Sequence, residues 1–288
     1  MKIGVMLPVG GNDGPGGGTP AWADVREMAV AAEQSGLDSV WIADHFLYRG
    51  PDGTVVGMHE AWTLLSAVAA VTERVEIAPL VACASFRDPG LMAKMAATLD
   101  VVSGGRLILG VGAGWHDPEY EAFGLPTDHR VGRFEEWVEI VARLVRGETV
   151  TFDGQYYRVK EAALVPAPER RIPLLVASFG PRMLGLTAKW ADQWNTAWYG
   201  AVDEKVEERI SAMRAAVSAA GRPADALELT VGITVAEPEA DAGSVDELAQ
   251  TIKGYEALGV THLIAGIDPR PTAAAITHLA KAKALASS

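Results

Sequence analysis

The chain has 288 residues, 49% of them hydrophobic and 22% charged, with a formal net charge of −12 and a single cysteine. That profile belongs to a globular protein long enough to bury a sizeable core. It excludes the basic stripe of a nucleic-acid binder, an apolar run of about 18 residues that would span a membrane, and any intramolecular disulfide.

The first element is KIGVMLP (2–8). Its apolar run is short and lacks a small-residue cleavage site, so it reads as a β-strand rather than a signal peptide. GGNDGPGGGTP (10–20) follows. Without a Gly-Lys-Ser/Thr ending it is no phosphate-binding loop and reads as a mobile loop over a barrel mouth. Short β-branched runs then alternate with alanine-rich amphipathic ones. Strands are expected at 39–43, 75–82, 106–112, 173–178, 193–198, 227–235 and 262–267. Helices are expected at 21–35, 60–72, 89–102, 130–146, 181–190, 203–220, 245–257 and 272–285. TFDGQYYRV (151–159), with Asp153-Gly154 between β-favouring residues, reads as an insertion hairpin with a tight turn, placed between helix four and strand five.

Several strands are apolar on both faces, as in a parallel sheet covered by helices. Eight strand–helix units predict a single-domain (β/α)8 TIM barrel over residues 1–288, with the hairpin as an insertion. A doubly wound sheet is the alternative, and the strand count favours closure. Active sites of such barrels lie at the C-terminal strand ends. Strand two ends in Asp44-His45. His45 suits proton transfer near neutral pH or a strand cap, and position alone leaves both readings open. Asp44 could orient the histidine or bond the backbone. GVGAGW (110–115) spaces its glycines so that a flat ligand or phosphate could approach the backbone, or so that the chain can turn. ASFGPR (177–182) places Pro181 at a helix start, making either an anion site with Ser178 and Arg182 or an ordinary capped helix. Cys83 reads as a small apolar residue with no base to activate it. The six histidines show no metal-ligand spacing, so no metal is expected. Trp41, Trp115, Trp194 and Trp198, near strand ends, together suit a site for a planar heterocycle.

These motifs add up to a resemblance. WIADHF after strand two, FRDPGLMAKMAATLDVVSGGRLILGVGAGW (86–115), YEAFGLP, RFEEWVEIVARL, TFDGQYYRV and VASFGPRMLGLTAKWADQWNT are similar to the bacterial luciferase-like superfamily of flavin and deazaflavin oxidoreductases, over nearly the whole chain. Within it the chain resembles the actinobacterial branch that uses coenzyme F-420. The resemblance implies a (β/α)8 barrel with the cofactor ring in its mouth. It implies a catalytic histidine at His45 with Asp44 beside the cofactor, and a non-prolyl cis peptide at Leu80–Val81 against the ring. The phosphate would be held at Ser178, Phe179 and Gly180, with further contacts from Gly112, Ala113 and Gly114. One departure stands out. Sugar-phosphate dehydrogenases of this superfamily carry a catalytic glutamate in the strand-four loop, and the matching position here is Trp115. With His116 it would line a more apolar substrate pocket holding one titratable group, which argues against sugar-phosphate oxidation.

Four functions follow for comparison. The first is hydride transfer between coenzyme F-420 and a small organic substrate, with His45 as proton donor or acceptor. The second is an FMN-dependent monooxygenase fed by a separate reductase. A cofactor-free binding protein on the same barrel is the third; the intact strand-two and strand-five motifs argue against it. A metal-dependent hydrolase, the fourth, lacks its ligand spacing. The resemblance also implies a homodimer, and the lone cysteine fits a reducing cytoplasm.

Overall fold

Fully buried strands need partners on both sides and cover on both faces, and the fold is the closed arrangement that supplies them. The computed structural model describes residues 1–11, 13–14, 17–236, 243–268 and 270–288. In chain order the elements are β1 (Lys2–Met6), α1 (Trp22–Gln34), β2 (Ser39–Ile42), β3 (Leu47–Arg49), β4 (Val55–Gly57), α2 (Ala61–Val71), β5 (Glu76–Pro79), β6 (Ala82–Cys83), α3 (Pro89–Val102), β7 (Leu109–Gly112), α4 (Asp117–Ala122), α5 (Arg130–Val145), β8 (Val150–Asp153), β9 (Arg158–Ala162), β10 (Leu174–Ala177), α6 (Pro181–Trp190), β11 (Gln193–Tyr199), α7 (Glu204–Ala219), β12 (Glu228–Ala236), α8 (Gly243–Ala257), β13 (His262–Asp268) and α9 (Ala273–Ala286).

The main sheet runs in the order β5-β2-β1-β13-β12-β11-β10-β7-β6, with parallel pairings throughout. Its two end members, β5 and β6, are halves of one barrel strand that breaks at a cis Leu80–Val81 peptide. Both halves meet the next strand segment. Ile77 bridges to Leu107, and Ala82 and Cys83 pair with Val111 and Gly112. The sheet closes on itself as a (β/α)8 barrel, with the expected strands and helices each within a few residues of their predicted limits. Inside it, Trp41, Ala78, Ile108, Leu175 and Ile264 form the plug, with Met6, Leu80 and Val81 packed against them. A larger core fills the space between sheet and helices.

The hairpin β8–β9 sits between α5 and β10, but its turn is wider than Asp153-Gly154 suggests. Gly154 N–H reaches the Tyr157 carbonyl at 3.0 Å. The Glu136 carboxylate of α5 accepts the N–H groups of Gln155, Tyr156 and Tyr157 at 2.8, 2.8 and 3.0 Å. A helix side chain supplies the acceptors that strand pairing leaves wanting. Two elements had no sequence signal. The β3–β4 hairpin has three-residue strands, and α4 has six residues, both too short to show a period. The loop after β1 is tied to that hairpin, Gly11 N–H donating to the Gly57 carbonyl at 2.8 Å. Residues 12, 15 and 16 of the loop lie outside the described residues.

The opposite end of the barrel holds a buried polar triplet. Trp41 Nε1–H donates to Ser39 Oγ at 2.7 Å, and Ser39 Oγ lies 2.7 Å from His262 Nε2. One proton lies between Ser39 Oγ and His262 Nε2, and which atom carries it follows the tautomer of the ring. Gly4 makes room for the triplet, since a Cβ there would stand 2.1 Å from Ser39 Oγ. Burial pushes the His262 imidazole down to about 3 from the ordinary 6.5. A group whose folded value is depressed binds protons better when unfolded, so it adds stability above about pH 6.5 that is lost as pH falls toward 3. The melting temperature should therefore fall less steeply between pH 7 and pH 4 in His262→Leu than in the parent chain. Parallel curves would show that His262 does not titrate on unfolding.

Candidate active site

Two carboxylates, one histidine and a set of apolar walls meet at the C-terminal ends of the strands. They surround a cavity of about 350 Å³ lined by Asp44, His45, Leu80, Val81, Cys83, Gly114, Trp115, Glu119, Ala177, Phe179, Asn195, Ala197 and Trp198. That volume lies near the lower end of the ~300–1,000 Å³ usual for small-molecule sites. Every barrel strand from β2 to β11 contributes an end or an adjoining loop.

His45 follows β2 where the chain leaves the sheet. Its Nδ1 lies 2.9 Å from Glu119 Oε1, and Glu119 Oε2 accepts the Phe46 N–H at 3.0 Å. Glu119 is 1% exposed and comes from α4, in the loop after β7. Donation of Nδ1–H to the carboxylate sets the tautomer and leaves Nε2 for a ligand. The Trp115 ring stands edge-on to His45 at 5.7 Å. Phe46 stacks on Phe86 at 4.1 Å and touches Phe123 at 4.8 Å, so apolar packing holds the segment that carries His45.

Asp44 has a different job. Its carboxylate receives two bonds from Arg87, at 2.6 and 3.0 Å, and the Cys83 N–H at 2.9 Å. Burial pushes the carboxyl above its ordinary range, against the pull of Arg87 and the Cys83 N–H. Arg87 also pairs with Glu60, the residue that caps α2. The pair locks the end of the second strand to the end of the third. Cys83 is buried and pushed up to about 11, chiefly by desolvation. Its Sγ lies 3.0 Å from Tyr120 Oη, and it stays a thiol at neutral pH, with no nucleophilic role.

The glycines of GVGAGW serve packing. A Cβ at Gly110 would meet the Pro79 carbonyl at 2.2 Å, one at Gly112 would meet Val81 Cγ2 at 2.7 Å, and one at Gly114 would meet Tyr120 Oη at 1.8 Å. Gly114, at φ 80°, lines the cavity; Gly112 and Ala113 do not. Three other expectations need correction. His116 is turned away from the cavity, its Nε2 accepting the Arg49 N–H at 3.0 Å and its ring stacked on Tyr48 at 4.6 Å. Successive side chains leave an extended segment on opposite sides, so Trp115 faces the cavity and His116 the hairpin. Ser178 points its hydroxyl into α6, 2.8 Å from Thr187 Oγ1, and only Phe179 of the strand-five trio lines the cavity. The pocket also holds more acid than the sequence suggested. Glu119, four positions past Trp115, brings a carboxylate into the site from the same loop. Its helix is too short to betray an inward face in sequence, although Pro118 at a helix start was a usable sign. Gly180 begins α6 without a side-chain cap. The cis Leu80–Val81 peptide lies where the resemblance implies it and forms one wall. Among the described residues no cluster of three or more His, Cys, Asp or Glu is placed to hold a metal ion, and no helix is long and apolar enough to cross a membrane.

The family model described as luciferase-like monooxygenase matches residues 1–287, so the chain belongs to that family. An F-420-dependent glucose-6-phosphate dehydrogenase of Kineococcus radiotolerans is 33% identical over 227 residues, which make up 77% of this chain and 66% of the relative. The chain thus spans about two thirds of the length of that curated relative. Among solved structures, an F-420-dependent secondary alcohol dehydrogenase bound to an F-420–acetone adduct superposes with a TM-score of 0.80 at 21% identity, over 97% of both chains. A monooxygenase from Streptomyces bottropensis superposes with a TM-score of 0.76 at 23% identity, over 98% of both. Both likenesses establish the barrel fold.

Arg87→Ala strands a buried carboxylate. It should lower the free energy of unfolding by ~3–5 kcal/mol, read by urea denaturation, and pairing it with Asp44→Asn should recover most of the loss. A loss below about 1 kcal/mol would mean that the pair is solvated and weak.

Proposed function

We propose that this luciferase-like family member is an oxidoreductase that transfers a hydride between coenzyme F-420 and a small organic substrate. The observation that carries the reading is the pair of buried Glu119 and part-buried His45 at the edge of an apolar, ring-sized cavity. The residues present fit a flat ring system. Leu80 and Val81 offer one wall, Trp198 and Ala197 another, and the uncapped start of α6 at Gly180 offers N–H groups to a phosphate. The names of the curated relatives support the choice of cofactor. When bound, coenzyme F-420 supplies a two-electron hydride carrier that reacts at its C5.

The remaining work falls to the chain. Glu119 holds His45 by Nδ1 and stabilises the imidazolium that forms when His45 carries a proton. His45 Nε2 gives that proton to the reacting group of the substrate in reduction, or takes it in oxidation. The Asp44–Arg87 pair keeps the ends of the second and third strands in register, so His45 and Val81 stay on adjoining sides of the cavity. The aromatic rim keeps water away from the exchange.

The description of the family model favours one second reading, an FMN-dependent monooxygenase served by a separate reductase. There His45 would hold the reacting oxygen instead. The reading extends to a single domain acting in the cytoplasm as a homodimer. Support for the dimer comes from α3, which turns Leu91, Val101 and Val102 outward.

Titration of the pure protein should quench F-420 fluorescence at micromolar levels while FMN gives no response; binding of FMN alone would transfer the assignment to the monooxygenase. His45→Ala should keep cofactor affinity within about tenfold and lose ~10²–10⁴ in turnover. Glu119→Gln, which retains an acceptor for Phe46 N–H, should lose roughly tenfold or more with its pH–rate profile displaced. Unchanged turnover in both variants would remove the pair from the mechanism.

A further inference from the structure

We infer that the substrate sharing this cavity is a flat, uncharged, apolar molecule, selected by Trp115 and Trp198; the inference rests on the hydride-transfer reading above. Three large aromatic side chains line the cavity yet stay open to solvent, Trp115 at 61%, Phe179 at 47% and Trp198 at 46% exposure. Tyr48 extends the surface, its ring 6.1 Å from that of Trp115. Side chains of this size carry ~150–250 Å² of buriable surface each. A cluster of them around one opening is a surface that an apolar ligand covers.

Trp198 has a prepared seat. A Cβ at Gly232 of β12 would lie 2.9 Å from its ring, and one at Gly266 of β13 would lie 3.2 Å from it. The two glycines let the indole lie across the β12–β13 side of the mouth. Part of the indole packs on that side, and its remaining surface is offered to whatever occupies the cavity.

Charge points the same way. Among the described residues lining the cavity none is a lysine or arginine, while two, Asp44 and Glu119, are carboxylates. Several arginines around the mouth are engaged, while Arg49 stands exposed on the β3–β4 hairpin outside the cavity lining. Arg87 holds Asp44 and Glu60, Arg130 holds Asp117, and Arg270 donates to the Gly14 carbonyl at 3.0 Å. Arg209 lies 5.6 Å over the Phe179 ring, on the α6 side proposed for the cofactor phosphate. Residues 12, 15–16, 237–242 and 269 contain no lysine or arginine either. A phosphate ester would enter beside two carboxylates with no cation in the cavity lining to replace its water. A sugar phosphate is the wrong chemistry for this cavity, whereas an aromatic or conjugated carbonyl compound stacks on the indoles and, for reduction, would need a hydride at carbon from the cofactor and a proton at oxygen from His45.

Two probes with one ring system test this: 2-naphthaldehyde, uncharged, and 2-naphthyl phosphate. Calorimetric titration of the full chain, alone and saturated with coenzyme F-420, should show the aldehyde binding at least tenfold tighter than the phosphate ester. Trp115→Ala and Trp198→Ala should each weaken the aldehyde about tenfold, with Trp198→Phe losing less. Tighter binding of the ester or of glucose 6-phosphate overturns the inference. So does unchanged aldehyde affinity in both tryptophan variants, or aldehyde binding that F-420 abolishes. Failure of F-420 to bind, with the aldehyde preference intact, removes the hydride-transfer reading and leaves the selection for flat uncharged ligands supported.

Discussion

The site depends on how closely the third barrel strand presses against the fourth. The Pro79 carbonyl and the Val81 side chain occupy the space where side chains at positions 110 and 112 would begin. Only glycine admits that approach. The third strand divides here into β5 and β6, and Leu80 and Val81 between them rest on the barrel plug and form a cavity wall. One step further along, Gly114 yields its place to Tyr120, whose hydroxyl meets both Cys83 and the Ala113 carbonyl. That contact fixes the start of α4 and thereby the carboxylate that holds His45.

Two neighbouring residues, Asp44 and His45, meet opposite electrostatic fates. Asp44 is tied to a permanent guanidinium and cannot take part in proton traffic without breaking the lock between strand ends. His45 is tied to a carboxylate through Nδ1, which leaves its second nitrogen without a claim on it from Glu119. A fixed cation on one acid and an imidazole on the other give the two neighbours different surroundings, and the proposed division of roles rests on that difference. The same division explains the apolar character of the remaining walls. With both charges satisfied by protein partners, the cavity presents aromatic and aliphatic surface to its ligand.

Much of this was legible in sequence. Short β-branched apolar runs marked every barrel strand and runs of period 3.6 every covering helix, since the strands are covered on both faces and each helix buries one. Asp44 and His45 stood out because a buried strand rarely ends in two polar residues. The glycines of GVGAGW were visible too, but their use was not. Spacing shows that something approaches the backbone, and the approaching group proved to be the neighbouring strand. His116 and Ser178 were drawn into the site by adjacency to residues that do line it, and a single step of side-chain alternation excludes each of them.

What the sequence determined by itself is the barrel, its mouth and the presence of a histidine there. These follow from periodicity and chain order, which are local properties. Only the tertiary structure decided which partner each charge has. The Glu119–His45 and Arg87–Asp44 pairs join residues 74 and 43 positions apart. The seating of Trp198 on Gly232 and Gly266 likewise crosses three strands. Such contacts arise when the sheet closes and its strand ends converge, and no window along the chain contains both members of any of them.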